Sequence, residues 1–257
     1  MAKACLFCGA DGASALSKEH VIPQWLLKHL KLPEDDKLFQ GEASSANDTL
    51  VESPRIHSSF NFVQGHVCEE CNNGWMSRLE ATAKPILVPL IDRGRTIESL
   101  AEEEAEIVGK WTCKTAYMHS WAAPLKEPVQ LDHLQPLRGD DGKTVQGVIV
   151  VGMQADFKQP SSYLQTGHWP HLCKPEKKIS DETPEAAYKI GLQFGQLYLL
   201  AAFWPDLQSP LTLINGVHAP IIPTGHQWME HPGEIQYGDG PVDRLAAFCK
   251  ALAVSHP

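Results

Sequence analysis

Two Cys-x-x-Cys pairs, Cys5/Cys8 and Cys68/Cys71, constrain this chain more than any other feature. Two residues between thiols is the spacing at which a tight turn aims both sulfurs at one centre, and four thiolates from two such knuckles make a closed tetrahedral Zn2+ site. Cys71 leads into Asn72, Asn73 and Gly74, then Trp75, Met76, Leu79 and Ala83, apolar residues recurring at helical spacing. The second knuckle is therefore predicted to open a helix, which Pro85 ends. The total of seven cysteines is odd, and MAKACLFCGA carries no export signal. Both facts favour metal over disulfides and a cytoplasmic location. Cys113, Cys173 and Cys249 read as buried small residues. No apolar run reaches the roughly eighteen residues that a membrane span requires.

The insert between the knuckles is long. Ser17-Lys18-Glu19-His20-Val21-Ile22-Pro23 sets a carboxylate beside an imidazole, and Gln24 to Leu30 reads as a short helix started at Pro23. Residues 34 to 54 are polar and are expected to form a surface loop, with room for a short hairpin. The turn Asp92-Arg93-Gly94-Arg95 closes a first module, residues 1–95. Residues 96–257 then form an α+β domain whose role the sequence does not announce. In it, 98 to 123 is predicted helical, with Glu102, Glu103, Glu104 and Glu106 at the end where negative charge is favourable. Val145 to Gly152 reads as a buried strand, and 186 to 204 is open between strand and helix. Leu211 to Asn215 and Pro220 to Pro223 read as short extended pieces, and Val242 to Val254 as a closing amphipathic helix.

The order Cys5-x-x-Cys8, Glu19-His20, Cys68-x-x-Cys71-Asn72 resembles the zinc-bearing HNH nucleases, which use a ββα-metal or treble-clef-like finger. It is most similar to the subgroup of the endonuclease VII type, in which Asn directly follows the last zinc cysteine. The resemblance covers about the first 85 residues. It implies an α+β chain with an N-terminal zinc-stabilised nuclease finger acting on nucleic acid, with DNA as the expected substrate. The Zn2+ would be structural, a Mg2+ or Mn2+ ion would be held by Glu19 and Asn72, and His20 would be the general base. A middle Asn often orients that base. Asn61, His57 and His66 are the candidates, with Asn61 favoured. The family's third position is often His where this chain has Asn72, and a Lys or Glu often follows where it has Trp75.

Those roles suit the chemistry. Phosphodiester hydrolysis needs positive charge for the developing oxyanion and a base for water. A hard ion prefers oxygen donors, which Glu19 and the Asn72 amide supply. Adjacent strand residues face opposite ways, so Glu19 and His20 converge on one centre only if the backbone bends. Plainer readings stand beside these: many such fingers only scaffold, Asn72 suits a helix cap, and Trp25, Trp75 and Trp121 suit a core. The histidines at 168, 171, 218, 226 and 231 match no ligand spacing.

The net charge of −9 speaks against a simple electrostatic nucleic-acid binder. Residues 1 to 92 hold eight Lys and Arg against twelve Asp and Glu, a net of −4. Lys28, Lys31, Arg78, Lys84, Arg93 and Arg95 are the cations available to cluster. A non-catalytic zinc-finger interaction module is the alternative function, and a protein partner for the C-terminal domain fits either one.

Overall fold

The computed structural model describes residues 4–10, 16–34, 37–44, 49–58, 61–122, 129–139, 144, 147–157, 160–166, 171–172, 186–205, 211–214, 219–223, 229–231, 247–249 and 251–255. Over these residues the chain is a mixed helix and sheet protein. β1 (Leu16–His20) runs antiparallel to β4 (Val63–Cys68), and α1 (Gln24–His29) follows β1 after Pro23. Between them β2 (Lys37–Ser44) pairs antiparallel with β3 (Thr49–Ser58). The polar stretch expected as a surface loop with room for a short hairpin is largely a long two-stranded ribbon, because a backbone ladder satisfies N–H and C=O groups whatever the side chains are.

β4 delivers Cys68 as the N-cap of α2 (Glu69–Cys71); the chain then kinks at Gly74 (φ −90, ψ −107), within Asn72–Met76, before α3 (Ser77–Ile91). The helix passes straight through Pro85 and Pro89, contrary to the expected stop at Pro85. Each proline removes a backbone bond, but Leu79, Ala83, Ile86, Leu87, Leu90 and Ile91 are buried along one face. Burial of that stripe outweighs the local penalty.

α4 (Glu102–Ala122) matches the predicted helix closely. Glu104 Oε2 accepts the Ala101 N–H at 3.0 Å while both carboxylate oxygens take the Arg95 guanidinium. The side-chain bonds to Arg95, with the Ala101 N–H, hold the Glu104 carboxyl down at about 2. From Trp111 to Ser120 every residue is buried, since one side of α4 meets α3 and the other a five-stranded sheet.

That sheet has the order β11-β5-β9-β8-β6, all antiparallel. Its strands are β5 (Val148–Gln154), β6 (Ser161–Thr166), β8 (Tyr188–Phe194), β9 (Leu197–Phe203) and β11 (Ala219–Ile222). The open stretch 186 to 204 resolves as the β8–β9 hairpin. Gly195 turns it at φ 55, and a Cβ there would meet Ile91 Cγ2 at 2.7 Å. Gln196 N–H then donates to Ile91 O (3.1 Å), so the hairpin tip caps α3. On α4, a Cβ at Gly109 would lie 2.7 Å from Ile222 Cδ1, so only glycine lets helix and sheet approach this closely.

Alternation in β9 places Leu197, Leu199, Ala201 and Phe203 toward α4, and Tyr198, Leu200, Ala202 and Trp204 in a second core. Behind that core lies a four-stranded sheet, order β12-β10-β13-β7, made of β7 (His171–Leu172), β10 (Leu211–Ile214), β12 (Met229–His231) and β13 (Leu252–Ser255). The expected closing helix is only a helical stretch at 247–249 before β13; residues 242–246 and 250 lie outside the described set. Pairing with β10 and β7 claims the last residues for a sheet despite their helical pattern. The main core runs from Cys5 to Ile222, across the boundary at 95/96. Among the described residues no helix is long and apolar enough to cross a membrane. A short helix, α5 (Leu131–Leu134), leads from α4 toward β5.

Candidate metal centre

Cys5, Cys8, Cys68 and Cys71 come together with their sulfurs all within 4.8 Å of one another. A Zn–S bond of about 2.3 Å implies tetrahedral edges of about 3.8 Å. The Cys8 and Cys68 sulfurs are 3.6 Å apart, so the cluster can hold a metal such as zinc. Both knuckles are shaped by backbone. Gly9, at φ 68, closes the first by donating to Cys5 O (2.9 Å). Leu6 N–H ties it to His66 O on β4 (2.9 Å), and Phe7 packs edge-on against Trp75 with centroids 5.3 Å apart.

Amide donors also reach the sulfurs: Cys68 N–H to Cys5 Sγ (3.4 Å) and Cys71 N–H to Cys68 Sγ (3.5 Å). Burial pushes the Cys5 thiol up, but the N–H groups of Cys68, Phe7 and Cys8 outweigh it and bring it down to about 7. Burial raises Cys8 and Cys71. Such thiols bind a metal by releasing protons, which makes affinity pH-dependent.

Asn72 sits one residue beyond the cluster. Its side chain does not cap a helix; Cys68 holds the N-cap position. Instead Asn72 Nδ2 donates to Ser17 Oγ (3.0 Å), which donates to Val67 O (3.0 Å). That bond leaves Oδ1 as the amide's acceptor. The β1–β4 register runs from Ser17↔Val67 to Glu19↔Gln64. Two β1 steps thus oppose three on β4, and the bulge belongs to β4, at Gly65 and His66. β1 keeps its two-residue period. Ser17 and Glu19 fall on one face, with Asn72 docked beside Ser17, and His20 falls on the other.

Glu19 meets a group that sequence reasoning missed. Lys114, in the middle of α4, is fully buried, with Nζ 2.8 Å from Glu80 Oε1 and 3.3 Å from Glu19 Oε1. Glu80 Oε2 accepts the indole N–H groups of Trp25 (2.6 Å) and Trp111 (3.0 Å). Burial alone would lower the Lys114 pKa, but the charges of Glu80 and Glu19 raise it above its usual value. The one available signal was a lysine between Trp111 and Tyr117 within the predicted helix, and nothing local named its partners.

His20 turns to α1: Gln24 Nε2 lies 3.0 Å from His20 Nε2, an amide donating to an imidazole acceptor. Asn61 is exposed just ahead of β4, His66 is half-buried within it, and the His57 side chain lies outside the described residues. Trp75 is buried, and Trp25 and Trp121 are half-buried against the main core. Two of the candidate cations are spent on carboxylates, Arg93 on Asp156 (2.7 Å) and Arg95 on Glu104. Lys84 lies over the Trp25 ring at 5.8 Å, while Lys28, Lys31 and Arg78 are exposed. The side chains of His168, His171, His218, His226 and His231 lie outside the described residues.

No protein-family model matches this chain, and no curated protein or solved structure matches it. Function therefore rests on the residues themselves.

Proposed function

We propose that this chain is a metal-dependent endonuclease of the HNH type that hydrolyses phosphodiester bonds of DNA. In this reading the β1–β4 ribbon and the helix after Cys68 form a ββα-metal, treble-clef-like finger around a structural Zn2+. Glu19 and Asn72 would hold a Mg2+ or Mn2+ ion. The observation that carries the reading is the Asn72–Ser17 bond, made through Nδ2, which docks the Asn72 side chain on β1 two residues from Glu19 and leaves its amide oxygen as a donor for the ion. A carboxylate and an amide oxygen suit a small hard cation, and among the described residues no larger carboxylate group competes with them. When bound, such an ion supplies positive charge for the scissile phosphate and its leaving oxygen.

His20, the last residue of β1, is the general base in this reading; it falls on the face of β1 opposite Glu19, so it serves the ion's water only if substrate binding turns its ring toward that face. With Gln24 donating to Nε2, the neutral imidazole carries its proton on Nδ1 and keeps the Nε2 lone pair for water. Gln24 holds the ring until substrate takes its place. Asn61, on the solvent side before β4, is the candidate that orients the base. The exposed Lys28, Lys31 and Arg78 offer few phosphate contacts, so metal rather than basic surface supplies most of the affinity. The region from residue 96 onward selects the substrate or a protein partner.

Supercoiled plasmid and oligonucleotides are the test, incubated with Mg2+, Mn2+ or EDTA and with His20→Ala alongside. Nicking that needs the ion and His20 supports the proposal. If no nucleic acid is cut with any divalent ion while a protein partner binds tightly, the chain is a zinc-finger interaction module.

A further inference from the structure

The cluster around Lys114 has an uneven charge balance. Glu80 uses both oxygens, one on the ammonium at 2.8 Å and one on two indole N–H groups. Glu19 has the longer contact, 3.3 Å through Oε1, and retains 13% side-chain exposure where Lys114 has none. Two carboxylates share one ammonium, so the trio carries a net charge of −1. The closer carboxylate neutralises the lysine, and the surplus resides on Glu19.

We propose that the Lys114–Glu80 pair is a positioning device for Glu19 as a metal ligand. Lys114 fixes Oε1 and so sets the carboxylate's direction, while Glu80 cancels the lysine's charge so that Glu19 keeps its own for a divalent cation. A carboxylate ligand held through its second oxygen by an outer partner is the general way a metal site gains geometry. Here that partner comes from α4, beyond the finger's own sequence. Burial of Lys114 among Trp25, Trp111 and the α3 helix keeps water from loosening the arrangement. The finger alone would then present a Glu19 without its anchor.

This inference rests on the nuclease reading, and the test separates the two. Mn2+ binding to the purified full-length protein is followed through loss of the free-ion paramagnetic resonance signal, with plasmid cleavage, zinc content and melting temperature measured on the same samples. Glu80→Gln uncovers the lysine's charge beside Glu19 and should raise the Mn2+ dissociation constant by about tenfold or more. Lys114→Met removes both anchor and charge. It should leave Mn2+ affinity at or above that of the wild type, yet lower the cleavage rate at saturating Mn2+ by about tenfold. A pair that serves packing alone would instead weaken binding and melting temperature together in both variants, with no dependence on the sign of the charge removed. Wild-type Mn2+ affinity in a folded Glu80→Gln protein overturns the positioning role and leaves the nuclease reading standing. A wild-type protein that neither binds Mn2+ nor cleaves overturns both.

Discussion

Glu19 on β1 and Lys114 on α4 meet at 3.3 Å across 95 residues of sequence. The contact joins the strand that carries Glu19 to α4, the longest helix among the described residues. Lys114 has no exposed side-chain surface, so its charge depends entirely on the two carboxylates. Glu80→Ala should cost roughly 3–5 kcal/mol, the usual effect of stripping one partner from a buried pair. Glu19→Ala should cost clearly less, because Glu80 still pairs the lysine. Urea unfolding of the two variants would reverse this order if Glu19 were the principal partner.

One tightly bound zinc per chain is expected at Cys5, Cys8, Cys68 and Cys71. Structural zinc contributes on the order of 10 kcal/mol of folding free energy in small modules. Cys68 is also the N-cap of α2 and accepts the Cys71 N–H. Cys68→Ser should therefore lose zinc and disorder the ribbon and the start of α2 together. Elemental analysis and amide exchange check this, and a Cys68→Ser protein retaining zinc and protection would contradict it.

Scaffold and chemistry should fail separately. His20→Ala is expected to retain zinc and fold while losing roughly a hundredfold or more in cleavage, the typical contribution of a positioned base. Glu19→Ala and Asn72→Ala should instead shift the Mg2+ or Mn2+ concentration needed for half-maximal rate upward, because each removes an oxygen donor. Cleavage by His20→Ala at the wild-type rate would place the active site elsewhere.

His119 gives a prediction in acid. Its ring is buried, stacked on Tyr163 with centroids 4.6 Å apart, and Nε2 has no hydrogen-bond partner among the described residues. Burial, aided by the Lys114 charge, brings its pKa down to about 3 from the ordinary 6.5. The unfolded chain therefore binds a proton between those values that the folded chain refuses. The contribution is fully present above about pH 6.5 and is lost as pH falls toward 3. His119→Phe, which keeps an aromatic ring against Tyr163 and Phe62, should flatten this part of the stability profile. Equal acid sensitivity in melting curves from pH 7 to 4 for wild type and variant would count against it.

Much of the site's scaffold could be read from spacing. The four cysteines, the helix after Cys71 and the helix α4 depend on short-range patterns: thiol spacing, apolar periodicity and acidic residues at a helix start. Local pattern misled where tertiary contact outweighed it. Pro85 and Pro89 sit inside α3 because its buried face holds the helix together, and the C-terminal residues join a sheet because β10 and β7 flank them.

The sequence by itself determined that two knuckles would converge, since thiol spacing is a local property; it named Glu19, His20 and Asn72 only as candidates. Tertiary structure alone decided what those residues touch. Asn72 binds Ser17 rather than capping a helix, His20 turns to Gln24, and Glu19 to Lys114. No periodicity reports a contact between β1 and α4. It exists because burying Lys114 in the core requires carboxylates from distant elements to arrive at the same point.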